Sequence, residues 1–418
     1  MQPHCAVVAD RATRSLFARS KFAFIDAVVA VIIGIAGGVL SFLFLESLDW
    51  AGSTREKFDW LVVLLPVGGL IVGLLYHRFG QPIAGGTSLV LDAVHVPDGE
   101  VPTRMAPMIW AGSVGSHLVG ASVGREGAIV QIVSSVTDDI ARRLRRPHLE
   151  RRIFIVAAIS AAFGGLFGVP LGGAAFSLEA QRRSRLHLSA VIPALIAGVV
   201  GDRVARALGV GHETSMSITS ISFGWSALWR YLLAAIVFGA VAAAFIHFEH
   251  FIKRSFARGI SWPPLRPMVG GFVVLGLVLI SNDRAYLGIS TDLVVVSLAG
   301  GAGLAAIAFV WKLVFTAVSL GSGFVGGEVF PLFVIGALTG VQFARITNSS
   351  VPLFAALGLI AVFAAASDTP VASTIIGIEL FGWTALPVYI VVCFVAEVVS
   401  GDQTIYPASP LRKSTQNH

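Results

Sequence analysis

The sequence predicts an all-α integral membrane protein made of two similar halves, and three observations carry that expectation. Only 54 of the 418 residues are charged (30 Lys+Arg, 24 Asp+Glu), or 13%, where a soluble domain carries about 25%. Apolar stretches recur from about residue 22 to residue 400, separated by short polar loops. Two motifs also recur half a chain apart. A soluble chain of this length would form roughly three domains, and there is too little charge here to cover their surfaces. Soluble enzymes and disordered chains are thereby excluded. The net charge of +6 does not point to nucleic acid either. The basic residues sit in short clusters beside apolar runs, as in the cytoplasmic loops of membrane proteins. Cys5 and Cys393 lie far apart and give neither a disulfide framework nor a metal spacing.

The first apolar stretch, Ala27 to Leu45, follows Arg11, Arg14, Arg19 and Lys21. It is too long for the core of a signal peptide, so a transmembrane helix with a cytoplasmic N-terminus is expected. Basic runs at 142–152 and 182–185 flank the apolar stretch 153–181 and should put both of its ends in the cytoplasm. That stretch is too short to cross twice at about 20 residues per span. Gly164, Gly165, Gly168 and Pro170 interrupt it, so it reads as a re-entrant pair of short helices. Broken backbone at membrane depth must be satisfied by protein or by a hydrophilic cavity, which points to a transport path.

Pro170-Leu-Gly-Gly-Ala-Ala-Phe-Ser-Leu-Glu179 matches Pro370-Val-Ala-Ser-Thr-Ile-Ile-Gly-Ile-Glu379 at an offset of 200. Val123-Gly-Arg-Glu126 matches Val325-Gly-Gly-Glu328 at an offset of 202. Duplicated halves with Gly/Pro-interrupted helices in corresponding places are the pattern of transporters that bind substrate between repeats. The expected division is a cytoplasmic segment 1–21, repeats 22–208 and 209–406, and a short tail 407–418 without a regulatory domain.

Arg125, Glu126, Glu179, Lys312, Glu328, Asp368 and Glu379 lie within or at the ends of apolar segments. An ionisable group at that depth costs a few kcal/mol, so it faces water or a partner. Glu126 sits in Gly124-Arg-Glu-Gly-Ala-Ile-Val-Gln131, at a helix start. Gly124 and Gly127 let backbone N–H groups turn inward, and the helix start adds positive potential, so the site attracts an anion. A glutamate there is a tethered anion that protonation can release. It is thus a candidate gate and proton carrier, unless Arg125 and Glu126 simply form an ion pair. Gly321-Ser-Gly-Phe-Val-Gly-Gly-Glu328-Val-Phe-Pro331 repeats the arrangement, with Gly326, Gly327, Val329 and Phe330 as its anion-facing positions. Gly86, Thr87 and Ser88 offer donors before another helix, and Tyr406 ends the last loop with a phenol. Glu179 and Glu379 read as helix-end caps, and His117 as a packing residue. An intramembrane serine protease using Ser322 lacks a base, because the sole later histidine is His418, and no HExxH zinc motif occurs.

These motifs together resemble the CLC anion channels and transporters, from about residue 25 to 410. Gly124–Gln131 is similar to that family's gating motif, and Gly321-Ser-Gly with Gly326–Pro331 to its second anion loop. Phe167-Gly-Val-Pro-Leu-Gly-Gly173 is similar to a further helix start, and Tyr406 stands at the place of the central tyrosine. The resemblance implies two inverted repeats of broken and tilted transmembrane helices, a homodimer with one pore per subunit, and Glu126 as gate. It also implies anion and protons as partners, with no cofactor and no nucleic acid. Within the family, Trp311-Lys-Leu-Val-Phe-Thr316, Glu328 and Ala366-Ser-Asp-Thr-Pro370 resemble the fluoride/proton antiporters. The internal proton glutamate of chloride exchangers would fall at Ala180 and is missing. Thr87, Ala128 and Phe330 depart from the fluoride pattern, so a chloride antiporter or channel stays open. The implied mechanism has anion entering past Thr87 and Ser88, Tyr406 donating to a central ion, Glu126 exchanging places with anion and proton, and Glu328 relaying the proton inside. The expected location is a bacterial inner membrane.

Overall fold

A computed structural model describes residues 4–80, 83, 85–96, 99–180, 188–211, 218, 221 and 224–406. The basic cluster at 182–185 and the tail from 407 lie outside the described residues. The first half forms α1 (His4–Lys57), α2 (Leu65–Phe79), α3 (Gly86–His95), α4 (Met105–Val119), α5 (Glu126–Arg143), α6 (His148–Phe167), α7 (Pro170–Glu179) and α8 (Val191–Ala207). The second half forms α9 (Trp225–Gly259), α10 (Leu265–Ser281), α11 (Thr291–Leu298), α12 (Ala308–Ser322), α13 (Val329–Thr347), α14 (Val351–Ser367), α15 (Pro370–Phe381) and α16 (Leu386–Ser400). The expected first span is the middle of α1, which runs past it at both ends. Among the described residues, Ile25–Lys57, Asp59–Phe79, Ala227–Gly259, Val329–Thr347 and Trp383–Ser400 are long and apolar enough to cross a membrane.

The stretch expected to form a re-entrant pair folds as two helices, α6 and α7. Gly168 takes a left-handed conformation (φ 69°) that closes α6, and Pro170 opens α7. Asp368 (φ 57°) and Pro370 repeat this break between α14 and α15. Gly164 and Gly165, expected to share in the break, instead lie inside α6. A Cβ on Gly164 would strike the carbonyl oxygen of Gly198 in α8, and one on Gly165 would stand 2.8 Å from Ser41 Oγ in α1. They serve close helix packing, which in a membrane substitutes for a hydrophobic driving force.

Contacts between the halves are reciprocal. Glu179, ending α7, accepts hydrogen bonds from Val371 N (3.1 Å) and Ala372 N (2.6 Å) at the start of α15. Glu379, in the last turn of α15, accepts them from Leu171 N (3.0 Å) and Gly172 N (2.7 Å) at the start of α7. Each glutamate thus occupies the positive end of its partner helix, as the cap reading expected. Likewise Gly69 in α2 lies against Pro267 in α10, while Gly271 in α10 lies against Leu65 in α2. Contacts in which each half gives what it receives define an internal two-fold axis. Arg11, Arg14, Arg19 and Lys21 precede the apolar part of α1, whereas Lys253, Arg254 and Arg258 gather at the end of α9, as expected of inverted halves.

At the end of α5 a buried ion pair ties three elements together. Asp138 accepts hydrogen bonds from Arg151 Nε (2.8 Å) and Nη2 (3.1 Å) on α6 and from Val101 N (3.0 Å) in the loop before α4. Removing one partner leaves a buried, uncompensated charge. Asp138→Ala or Arg151→Ala is therefore expected to cost about 3–5 kcal/mol. Thermal unfolding in detergent reads this as a lowered midpoint, and an unchanged midpoint refutes it.

Candidate functional site

The two glycine-rich loops of the halves meet at the centre of the molecule. Gly124 N donates to Gly327 O (2.7 Å) and Gly327 N to Gly124 O (2.8 Å), an isolated antiparallel bridge. Side chains are excluded there. A Cβ on Gly124 would lie 2.6 Å from Pro331 Cδ and 2.8 Å from Gly327 O, and one on Gly327 would lie 2.5 Å from Gly127 N. Gly326 is held by Val123 in the same way, at 2.5 Å. The sequence suggested that these glycines turn their N–H groups towards an anion. The structure corrects this for Gly124 and Gly327, whose N–H groups each donate to the other residue's carbonyl oxygen.

The N–H groups that do receive negative charge come from the neighbouring residues. Glu126, the first residue of α5, is 1% exposed. Its Oε2 accepts hydrogen bonds from Arg125 N and from Phe330 N in the first turn of α13, both at 3.1 Å. The carboxylate therefore sits between the starts of two helices, one from each half, where partial positive charge accumulates. Arg125 Nε lies 3.4 Å from Glu126 Oε1, an ion pair without a hydrogen bond. The Arg125 guanidinium is also 5.6 Å from the centre of the Phe330 ring.

On the other side of Gly127 stand Thr87 and Glu328. A Cβ on Gly127 would be 3.3 Å from Thr87 Oγ1 and 3.5 Å from Glu328 Oε2, so hydroxyl and carboxylate flank one glycine. Thr87 is buried in the first turn of α3 and its Oγ1 accepts a hydrogen bond from Gln131 Nε2 (3.1 Å) on α5. Gly86 adopts φ 55° to start that helix. Ser88 is partly buried and makes no hydrogen bond among the described residues. Val329 and Phe330 are buried at the start of α13. Tyr406 is buried. Its ring stands edge-on to Phe176 at 6.1 Å. From there Phe363, Phe333 and Phe330 continue an aromatic wall back to Arg125. The candidate residues from both halves thus converge, with Ser88 adjoining Thr87 on α3 but joined to the site by no hydrogen bond among the described residues.

Sequence reading assigned no role to Lys312, which is fully buried on α12. Its Nζ lies 2.9 Å from Ser122 Oγ, 3.1 Å from Tyr286 O, 2.9 Å from Gly288 O and 2.8 Å from Ser290 Oγ. Ser122 N also donates to Ser319 Oγ (3.1 Å). In the mirror contact, Val325 N donates to Ser116 Oγ (3.1 Å). Each glycine loop is therefore suspended from a serine of the opposite half. A lysine in an otherwise apolar helix was the signal, but its targets are distant carbonyls invisible to spacing. Ser322, the discarded protease nucleophile, donates to Ser319 O (3.1 Å).

Inverted halves of broken helices, with an acid held between helix starts at their junction, define an ion transporter rather than an enzyme. The family profile of the voltage gated chloride channel matches residues 68–401, and this chain belongs to that CLC family. It is 38% identical over 384 residues to a "Chloride/fluoride channel protein" of Pseudomonas syringae pv. tomato, covering 91% of this chain and 85% of that one. It is 26% identical over 433 residues to the H(+)/Cl(−) exchange transporter ClcA of Yersinia pestis bv. Antiqua, covering 95% and 90%. The crystal structure of a CLC-type fluoride/proton antiporter superposes with a TM-score of 0.88 at 29% identity, covering 93% of this chain and 98% of that one.

The glycine bridge gives a direct test. Gly327→Ala must push the α5 start away from the α13 start, because the atoms its Cβ meets are backbone. Anion flux in liposomes is expected to fall by about tenfold or more for a displacement of about 1 Å, in protein that stays monodisperse. Unaltered flux counts against the bridge as the element that sets the site.

Proposed function

We propose that this protein is a fluoride/proton antiporter that exports fluoride from the cytoplasm, with Glu126 as gate and proton carrier. The observation that carries the reading is the Glu126 carboxylate seated between Arg125 N and Phe330 N. A carboxylate in that seat stands in for a transported anion. When it takes a proton from the outer solution it loses its charge and its hold on both donors, and an anion takes the place. Departure of the anion outward and of the proton inward completes one exchange.

Glu328 beside Thr87 and Gly127 is the inner acid, which takes the proton from Glu126 in this reading. Thr87, Ser88 and the α3 start meet the entering anion, and the Tyr406 phenol donates to the central ion. Gly86, Gly124, Gly127, Gly326 and Gly327 set the backbone close enough for Arg125, Val329 and Phe330 to frame the seat. Glu328 at the second loop, the relative's "Chloride/fluoride" name and the superposed antiporter support fluoride. A second reading, chloride exchange, draws on the buried Thr87 hydroxyl and on the exchanger relative. The proposed assembly is a homodimer in the bacterial inner membrane, N-terminus in the cytoplasm, each subunit with its own pore.

Efflux from liposomes loaded in parallel with fluoride and chloride, with internal pH recorded, tests the proposal. Fluoride is expected to leave faster and to drive protons inward, whereas faster chloride efflux overturns the fluoride assignment. In Glu126→Gln, proton movement is expected to fall by about 10²-fold or more while passive anion movement persists. Coupling retained in that variant removes Glu126 as the gate.

A further inference from the structure

We infer that Glu249, on α9, carries the proton between Glu328 and the cytoplasmic solution. The inference rests on the proton-coupled reading above and adds an inner half to its proton route.

The side of α9 that faces the protein is apolar through Phe238, Ala242, Phe245 and Ile246, each 0% exposed. The next position on that stripe, one turn further, is Glu249. A carboxylate therefore stands where helical periodicity calls for an apolar side chain. It is 8% exposed, yet it forms no hydrogen bond or ion pair among the described residues. An acid that no protein group pairs at this depth is costly to keep, so it marks an ion or proton pathway rather than packing.

Its placement is specific. The Glu249 carbonyl oxygen would lie 3.2 Å from a Cβ on Gly321, in the last turn of α12. From there the chain runs through the second glycine loop to Glu328 at the α13 start, and α9 packs on both α12 and α13. Glu328, the residue directly ahead of α13, lies near enough to Glu249 for the two charges to repel. Lys253, the other charge in range, is exposed one turn further along α9. Beyond it Arg254 and Arg258 complete the basic end that places this end of the helix in the cytoplasm. Glu249 thus stands between the inner acid of the site and the cytoplasmic face, about 15 Å along the helix from its last residue, Gly259.

The transfer is balanced within the pair. The O–H bond on Glu328 breaks, an O–H bond forms on the Glu249 carboxylate, and the negative charge returns to Glu328. Glu249 then releases the proton to water beside Lys253.

The test uses the full chain in liposomes, with fluoride and proton fluxes recorded together for wild type, Glu249→Gln and Glu249→Asp. In Glu249→Gln the fluoride-driven proton flux is expected to fall by about tenfold or more while fluoride efflux continues, and Glu249→Asp is expected to restore coupling. Wild-type coupling that survives unchanged in Glu249→Gln overturns this inference alone. A wild type that moves fluoride without protons overturns the parent reading, and this one with it. If Glu249→Gln is not monodisperse, Glu249→Met and Glu249→His replace it. Coupling that returns with the titratable His but not with Met supports the relay, and equal loss of both fluxes in His, Met and Asp makes Glu249 a packing group.

Discussion

Two hydrogen bonds between Gly124 and Gly327 govern where everything else in the site can be. A side chain on either residue would collide with backbone, so these loops approach as only glycines allow. Because the bridged residues lie just ahead of α5 and α13, pairing them brings two helix starts together from opposite halves. The remaining donors at those starts, Arg125 N and Phe330 N, then converge on one carboxylate. Neither half alone could do this. A single helix start offers partial positive charge that fades within its first turn. Two starts fixed against each other hold an anion at a depth where solvent does not.

The bridge is itself held by contacts that the internal two-fold repeats. Ser319 and Ser116 each receive a loop N–H from the other half, and Glu179 and Glu379 each cap the other half's short helix. These contacts satisfy backbone groups that broken helices leave free in a medium without water. The breaks at Gly168–Pro170 and Asp368–Pro370 are therefore coupled to the site, since the helices they create are the ones the glutamates cap. A duplicated half solves two problems at once here, supplying both the second helix start and the cap for the first half's broken end.

Much of this was legible in sequence because it depends on residue type and spacing. The scarcity of charge gave the membrane, Gly168–Pro170 and its repeat gave the broken pairs, and an acid in each glycine loop gave the site. What spacing could not give was partner choice. Gly124 and Gly127 look alike in a motif, yet Gly124 is bridged and Gly127 makes room for Thr87 and Glu328. Gly164 and Gly165 read as breakers and proved to be packing glycines, because the helices against them lie distant in the chain. Ser88 carries the same donor chemistry as Thr87 but starts the turn on another side of α3. Glu249, a charge on an apolar stripe, was passed over in sequence, since its bearing on Glu328 depends on how α9 packs, which periodicity does not encode.

The use made of Lys312 shows why backbone donors, rather than a fixed cation, line the seat. A buried ammonium beside the site would bind a small anion tightly, and a transporter must also let it go. Here the lysine is turned to the carbonyls of Tyr286 and Gly288 and the hydroxyls of Ser122 and Ser290, which occupy its donors completely. Its charge is spent on fixing the loop that leads to Gly124, through Ser122. Arg125 is likewise engaged, paired with Glu126 and placed against Phe330. Both nearby cations thus shape the seat without filling it. In the proposed cycle the seat is left to backbone N–H groups, whose hold on the Glu126 carboxylate is undone by one proton.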